Sequence, residues 1–183
     1  MAATTEQFTT QCEPVVEPKT LRKFLTGIYN LGGQYAILMQ FAHPGLARGS
    51  AEHSDFASRI LHRLKTTSLF LVVAVYGTRE EKSAITSVIH RSHAGVKGDG
   101  YFADDPELRK WTASTLFMAL IVVHETFIGK LSNATKHILF RESAIFATSL
   151  RMPLDMWPDT YETFGNTGTV MSRIWRSPTW RGG

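Results

Sequence analysis

Two histidines one helical turn apart, His90 and His93, are the first residues in this chain whose types and spacing can do chemistry. At i and i+3 their side chains share a helix face, flanked by Ile89 and Val96, before Gly95 and Gly98 close the stretch. Such a pair can pack in a core, ligate a metal or move protons. The spacing fixes no third protein ligand, so it does not specify zinc. An iron held in a porphyrin asks the protein for a single histidine. The pattern therefore accommodates haem with fewer assumptions than a zinc centre.

A second polar insertion is Arg63 with Thr67, at i and i+4 beside Leu64, Phe70 and Leu71. Arginine keeps its charge, so a buried Arg63 needs an anion such as a carboxylate or a haem propionate; an exposed one needs only a surface ion pair. The neighbouring Arg59, His62 and Lys65 read as solvent-facing. A third insertion is the loop Gln40–Gly45 with Gly49 and His53 beyond it, whose histidines either face a pocket or bond local backbone. His124 reads as a satisfied core histidine and His137 as an exposed one. No phosphate-cradling loop, dinucleotide fingerprint, H-E-x-x-H or G-x-S-x-G is present.

The elements that must hold these residues are helical. Leu21, Phe24, Leu25 and Ile28 keep helix spacing, Gly32-Gly33 interrupts, and a second helix through Phe41 stops in a turn at His43-Pro44-Gly45. Ser54 to Tyr76 is the longest helical pattern, amphipathic first and then apolar nearly all round, which predicts the central helix. Thr78 with Glu81 predicts a capping box, Asp105-Pro106 another helix start running to about Ile128, and Ser132 a third running to Met152. Trp157-Pro158-Asp159 opens a last short turn, and nothing alternates like strands. The expected fold is all-α, one globular multi-helix domain over 18–164, with a mobile arm at 1–17 and a basic, Trp-containing tail at 165–183.

Composition agrees with one ordinary globular domain: 183 residues, 43% apolar and 20% charged. The excess of 20 basic over 16 acidic residues is spread out, with no like-charge block, so nucleic acid is not expected as a partner. A lone Cys12 excludes an intrachain disulfide framework and is poorly placed as a nucleophile. The first residues lack the basic and apolar regions of a secretory signal, and the apolar runs 69–76 and 116–123 fall short of the ~20 residues of a membrane span. A cytoplasmic location, or one peripheral to a membrane, is expected.

With these residues set out, the chain resembles the family of latex-clearing proteins (rubber oxygenases) and fungal ER-bound oxygenases of meroterpenoid biosynthesis. The matching features run in order through Gln40-x-Ala42-His43-Pro44, Gly49 and His53-Ser54-x-Phe56, then Arg63 to Thr67 and Tyr76-Gly77-Thr78-x-Glu80. They continue through His93-x-x-Val96-Lys97-Gly98, Tyr101-x-Ala103-x-Asp105-Pro106-Glu107-Leu108, Trp111, Glu142 and Pro153-x-x-Met156-Trp157-Pro158. The resemblance implies a haem b pocket between central helices, with His93 as the iron ligand and Arg63 and Thr67 in the pocket. It implies dioxygen and an apolar, isoprenoid-like small molecule as substrates. The distal lysine of rubber oxygenases falls at Thr66 here, with Lys65 adjacent, and two family arginines become His90 and Lys97. Family members continue with further helices past the Met-Trp-Pro segment, so the resemblance also implies a domain truncated at its C-terminal side. A partner chain would then complete its pocket.

Overall fold

Helix starts are written locally in this chain, and the structure uses them. The computed structural model describes residues 16–25, 27–53 and 56–166, without the side chains of 56–60, 165 and 166. Most of the expected N-terminal arm, with Cys12, and residues 167–183 of the expected tail lie outside the described residues. The elements run α1 (Lys19–Phe24), a 3-10 turn (Gly27–Leu31), α2 (Gly32–Phe41), α3 (Pro44–His53), α4 (Phe56–Tyr76) and α5 (Arg79–His93). A two-stranded hairpin follows, β1 (Lys97–Gly98) with β2 (Tyr101–Phe102). Then come α6 (Pro106–Phe127), α7 (Asn133–Glu142), α8 (Ala144–Thr148), a 3-10 turn (Leu154–Met156) and α9 (Tyr161–Asn166). The fold is all-α apart from that hairpin.

The caps behave as their residue types predict. Thr78 Oγ1 accepts from the Glu81 N–H at 3.2 Å while Glu81 Oε2 accepts from the Thr78 N–H at 2.8 Å, a reciprocal box that starts α5. Asp105 accepts from the Glu107 N–H at 2.8 Å with Pro106 in the first turn, and Ser132 accepts from the Thr135 N–H at 3.1 Å. α1 has no such local cap. Its first donors, Thr20 N–H and Leu21 N–H, bond instead to the two oxygens of the buried Glu142 at 3.1 and 2.5 Å.

Three expectations change. Pro44 does not merely end a helix: it opens the ten-residue α3, because proline suits the first turn as well as it breaks an interior. The helix expected from Ser132 to Met152 breaks at the fully buried Ser143 into α7 and α8. The central helix is α6 rather than α4. Ala113, Phe117 and Ile121 of α6 are fully buried, and α2 packs along it, with Gly32 seated against Val123 and Ala119. On α4, Leu61, Leu69 and Val72 stay 76%, 56% and 49% exposed. Apolar content alone does not say which helix the others will surround.

Beside α6, Phe140 stacks on Trp157 at 5.1 Å and meets Phe117 and Phe164 at 5.3 and 5.1 Å, closing the core at the α7–α9 end. Phe24 covers His124 at 4.6 Å, and half-buried His137 pairs with Glu162. Among the described residues no helix is long and apolar enough to cross a membrane.

Candidate functional site

A cavity of about 310 Å³ opens between α3, α5, the hairpin, the start of α6 and the end of α8. That volume is at the lower end of the roughly 300–1,000 Å³ usual for small-molecule sites. Leu46, Ile89, Val96, Leu108 and Leu150 give it apolar walls, while Arg63, His90, His93, Asp104, Arg109 and Arg151 bring charge or titratable nitrogen to it. Helix spacing on α5 delivers Ile89, His90 and His93 to one face, as the sequence implies.

The outer wall is clasped by the hairpin. Tyr101 OH donates to Glu52 Oε2 at 2.5 Å, His53 Nε2 lies 3.3 Å from Lys97 O, and Arg48 donates to Asp99 O at 3.4 Å. Accepting that bond, the Glu52 carboxylate pushes the Tyr101 phenol up to about 12. A Cβ at Gly98 would stand 2.6 Å from the Tyr101 ring, and Gly49 meets the same ring from α3. Gly98 therefore needs glycine for close approach, a side chain at Gly49 would press on the ring at 3.2 Å, and Gly100, at φ 75°, needs glycine for the turn itself.

His93 is exposed and lines the cavity. Desolvation lowers its pKa from the ordinary 6.5, the Asp104 carboxylate opposes that, and Arg63, Arg109 and His90 add to it. A neutral imidazole at neutral pH follows, which is the form that ligates a metal. His90 is differently engaged: its Nδ1 lies 2.8 Å from Asp104 Oδ2, without hydrogen-bond alignment. Asp104 also holds Arg109 Nη2 at 2.7 Å, and Arg109 Nη1 donates to Arg151 O at 2.9 Å.

Arg63 enters from α4. Its Nη2 donates to Gln40 Oε1 at 3.0 Å and its guanidinium lies 5.6 Å from the Phe41 ring centroid. Gln40, 4% exposed, donates in turn to Thr115 Oγ1 at 3.2 Å. Burial disfavours the Arg63 charge, and no carboxylate lies within ion-pair distance of it among the described residues. A cation so placed on a cavity wall suits an anion brought by a ligand.

Of the residues singled out in the sequence, the structure brings Arg63, His90 and His93 to one cavity. Thr67 lines a separate crevice of about 20 Å³ between α2, α4 and α6, with Gly33, Leu64 and Leu116. Lys65, Thr66 and Lys97 are exposed and do not line the cavity. His43 accepts from the Gly45 N–H at 3.2 Å, as a turn residue, whereas His53 reaches the cavity. Asp104, Arg109, Arg151 and Ser149 were not legible as site residues. Asp104 sits beside the capping Asp105, so in sequence it reads as one more acid at a helix start.

His93 and Arg63 bring to one apolar-walled cavity the two kinds of group that a haem would need, an imidazole for the iron and a charge for an acidic side group. Among the described residues no group of three His, Cys, Asp or Glu could hold a bare metal ion. A porphyrin-held iron does not need one.

Asp104→Asn is expected to lower the His93 pKa further, since it removes the influence that opposes desolvation. As pH falls in the ligand-free protein, the unfolded chain takes up this proton first, because its imidazole has the higher pKa. Stability is therefore lost as pH drops from 6.5 toward the folded value and is flat below it. The variant should widen that window, and an NMR titration in which the His93 pKa rises or stays put would contradict this.

Comparison with known proteins supplies a family. The family profile described as "ER-bound oxygenase mpaB/B'/Rubber oxygenase, catalytic domain" matches residues 22–173. Similar curated proteins include uncharacterized proteins of Mycobacterium bovis and Mycobacterium tuberculosis, each 29% identical over 131 residues, which is 67% of this chain and 51% of the relative. The chain thus spans about half the length of the curated relatives it matches. No solved structure matches it significantly.

Proposed function

The chain belongs to the ER-bound oxygenase and rubber oxygenase catalytic-domain family, and from that premise we propose that it is a haem b-dependent oxygenase acting with dioxygen on an apolar small molecule. The observation that carries the reading is the meeting on one cavity of His93 and an Arg63 that has no carboxylate at ion-pair distance among the described residues. Bound haem supplies redox chemistry toward dioxygen that no side chain here offers. The chain's own residues do the rest.

His93 would bind the iron through a neutral ring. Arg63, oriented by Gln40, would hold a propionate. Asp104 keeps His90 and Arg109 in place and moderates the positive charge of the cavity. Leu46, Ile89, Val96, Leu108 and Leu150 exclude water and receive the substrate, which in this reading is an alkene-bearing, isoprenoid-like molecule of secondary metabolism. Thr67, Lys65 and Lys97 stand off the cavity and would act only through neighbours. The test is a visible spectrum: haem added to the purified chain should give a Soret band saturating at one equivalent. A protein that stays colourless overturns the proposal.

A second reading is favoured by the exposed Leu61, Leu69 and Val72 on α4. It makes the chain a non-catalytic helical protein that docks a partner chain through that face. It differs in outcome, predicting association without haem.

A further inference from the structure

Thr67 stands away from the cavity, in the crevice of about 20 Å³ that α4 makes with α2 and α6. A space of that size takes about one water-sized molecule. It runs from the exposed Asn30 to the buried Gln40, and buried Ala36, Ile37, Leu71, Leu116 and Ala119 supply most of its wall. Its polar side chains are nearly all spent on protein. The Ser68 hydroxyl donates to Asn30 Oδ1 at 2.8 Å, and the Tyr29 hydroxyl donates to Leu116 O. Gln40 accepts from Arg63 on its oxygen at 3.0 Å and donates from its nitrogen to Thr115 Oγ1 at 3.2 Å. What remains among the described residues is the hydroxyl of half-buried Thr67 and, at the exposed end, the amide nitrogen of Asn30.

Water is a poor match for such a space. A buried water makes about three hydrogen bonds to polar groups, whereas apolar cavities stay dry and take up small apolar molecules. Past Thr67 the lining side chains offer no unspent donor or acceptor, and the volume excludes a hydrocarbon chain. We propose that the crevice binds one molecule of a small apolar gas, which in this chain is dioxygen. The identity of the gas rests on the oxygenase reading, and the site itself does not. Its buried end adjoins the cavity: Gln40 lines the crevice, Arg63 lines the cavity, and one hydrogen bond joins the two side chains. Dioxygen is thus held one side-chain pair from the chamber, and Thr67 belongs to the wall of the gas site rather than to that of the cavity.

The experiment uses the full chain without added haem, methyl-labelled for NMR, under oxygen and under nitrogen at equal pressure. Dioxygen is paramagnetic and speeds the relaxation of methyl groups it stays beside. Under oxygen, Ile37, Leu71 and Leu116 should relax faster than Leu139 and Ile145, which are at least as deeply buried but line neither the crevice nor the cavity. Leu64→Phe, which enlarges a half-buried wall residue, should remove that excess. Thr67→Val should keep it, because a gas needs no hydroxyl. Equal relaxation at the two sets of methyl groups overturns the proposal, as does an excess that survives in a folded Leu64→Phe. An excess lost in Thr67→Val, or seen only there, also overturns it, since the hydroxyl would then be holding the occupant. The parent and Thr67→Val decide the matter if Leu64→Phe does not fold. An excess in a chain that never gives a Soret band leaves the gas site standing and sinks the oxygenase reading, and a Soret band without the excess does the reverse.

Discussion

His93→Ala is expected to abolish the Soret band of the haem-supplemented protein, or to weaken haem binding by more than about a hundredfold. Loss of a mere outer-shell partner of a metal ligand typically costs ten- to a hundredfold, and the ligand itself is worth more. The expectation is specific to His93 because the two α5 histidines are held differently. His90 Nδ1 is drawn to Asp104 at 2.8 Å, whereas the His93 ring has no hydrogen-bond partner among the described residues and faces the cavity. Its lowered pKa keeps it unprotonated where an iron would need it. His90→Ala should therefore retain the band. Imidazole added to His93→Ala should restore it, since the space left by the ring is on a cavity wall. A band lost from His90→Ala and kept in His93→Ala would reverse the assignment of the ligand.

Glu142→Ala is the largest stability loss to expect, about 2–4 kcal/mol, from two hydrogen bonds to one buried carboxylate and the donors left behind. Glu142 is 5% exposed, and the two N–H groups it accepts from have no other cap. Glu142→Gln should be intermediate. Its amide oxygen can serve one donor, but its NH₂ then confronts the other. Urea unfolding measures both variants, and a loss below about 0.5 kcal/mol in Glu142→Ala would place this pair with ordinary surface contacts. The damage should be concentrated at α1, because Leu21, fully buried in the core, is anchored there by the same carboxylate.

What the sequence discloses here depends on range. Thr78, Asp105 and Ser132 cap helices two or three residues away, so their residue types alone locate α5, α6 and α7. The spacing of His90 and His93 likewise survives into the structure, because one helix carries both. Pro44 was ambiguous, since the same ring that ends one helix can begin the next. The rank of α4 against α6 was not legible, as both are long and apolar and only tertiary packing surrounds one of them. The site shows the same limit. Arg63 and His93 lie thirty positions apart and could be joined before the fold was known only through a family resemblance. Asp104, Arg109 and Ser149 acquire meaning from neighbours on other elements, and no local pattern marks them.

The capping of α1 also orders events during synthesis. A six-residue helix is too short to persist alone in water. Its donors wait for a carboxylate more than a hundred positions downstream, 121 from Leu21. The ribosome releases residues 19–24 long before it polymerises Glu142, so this helix gains its cap only after that residue has been made. Until then Leu21, part of the core, and Phe24, packed against it, lack the carboxylate that fixes their helix.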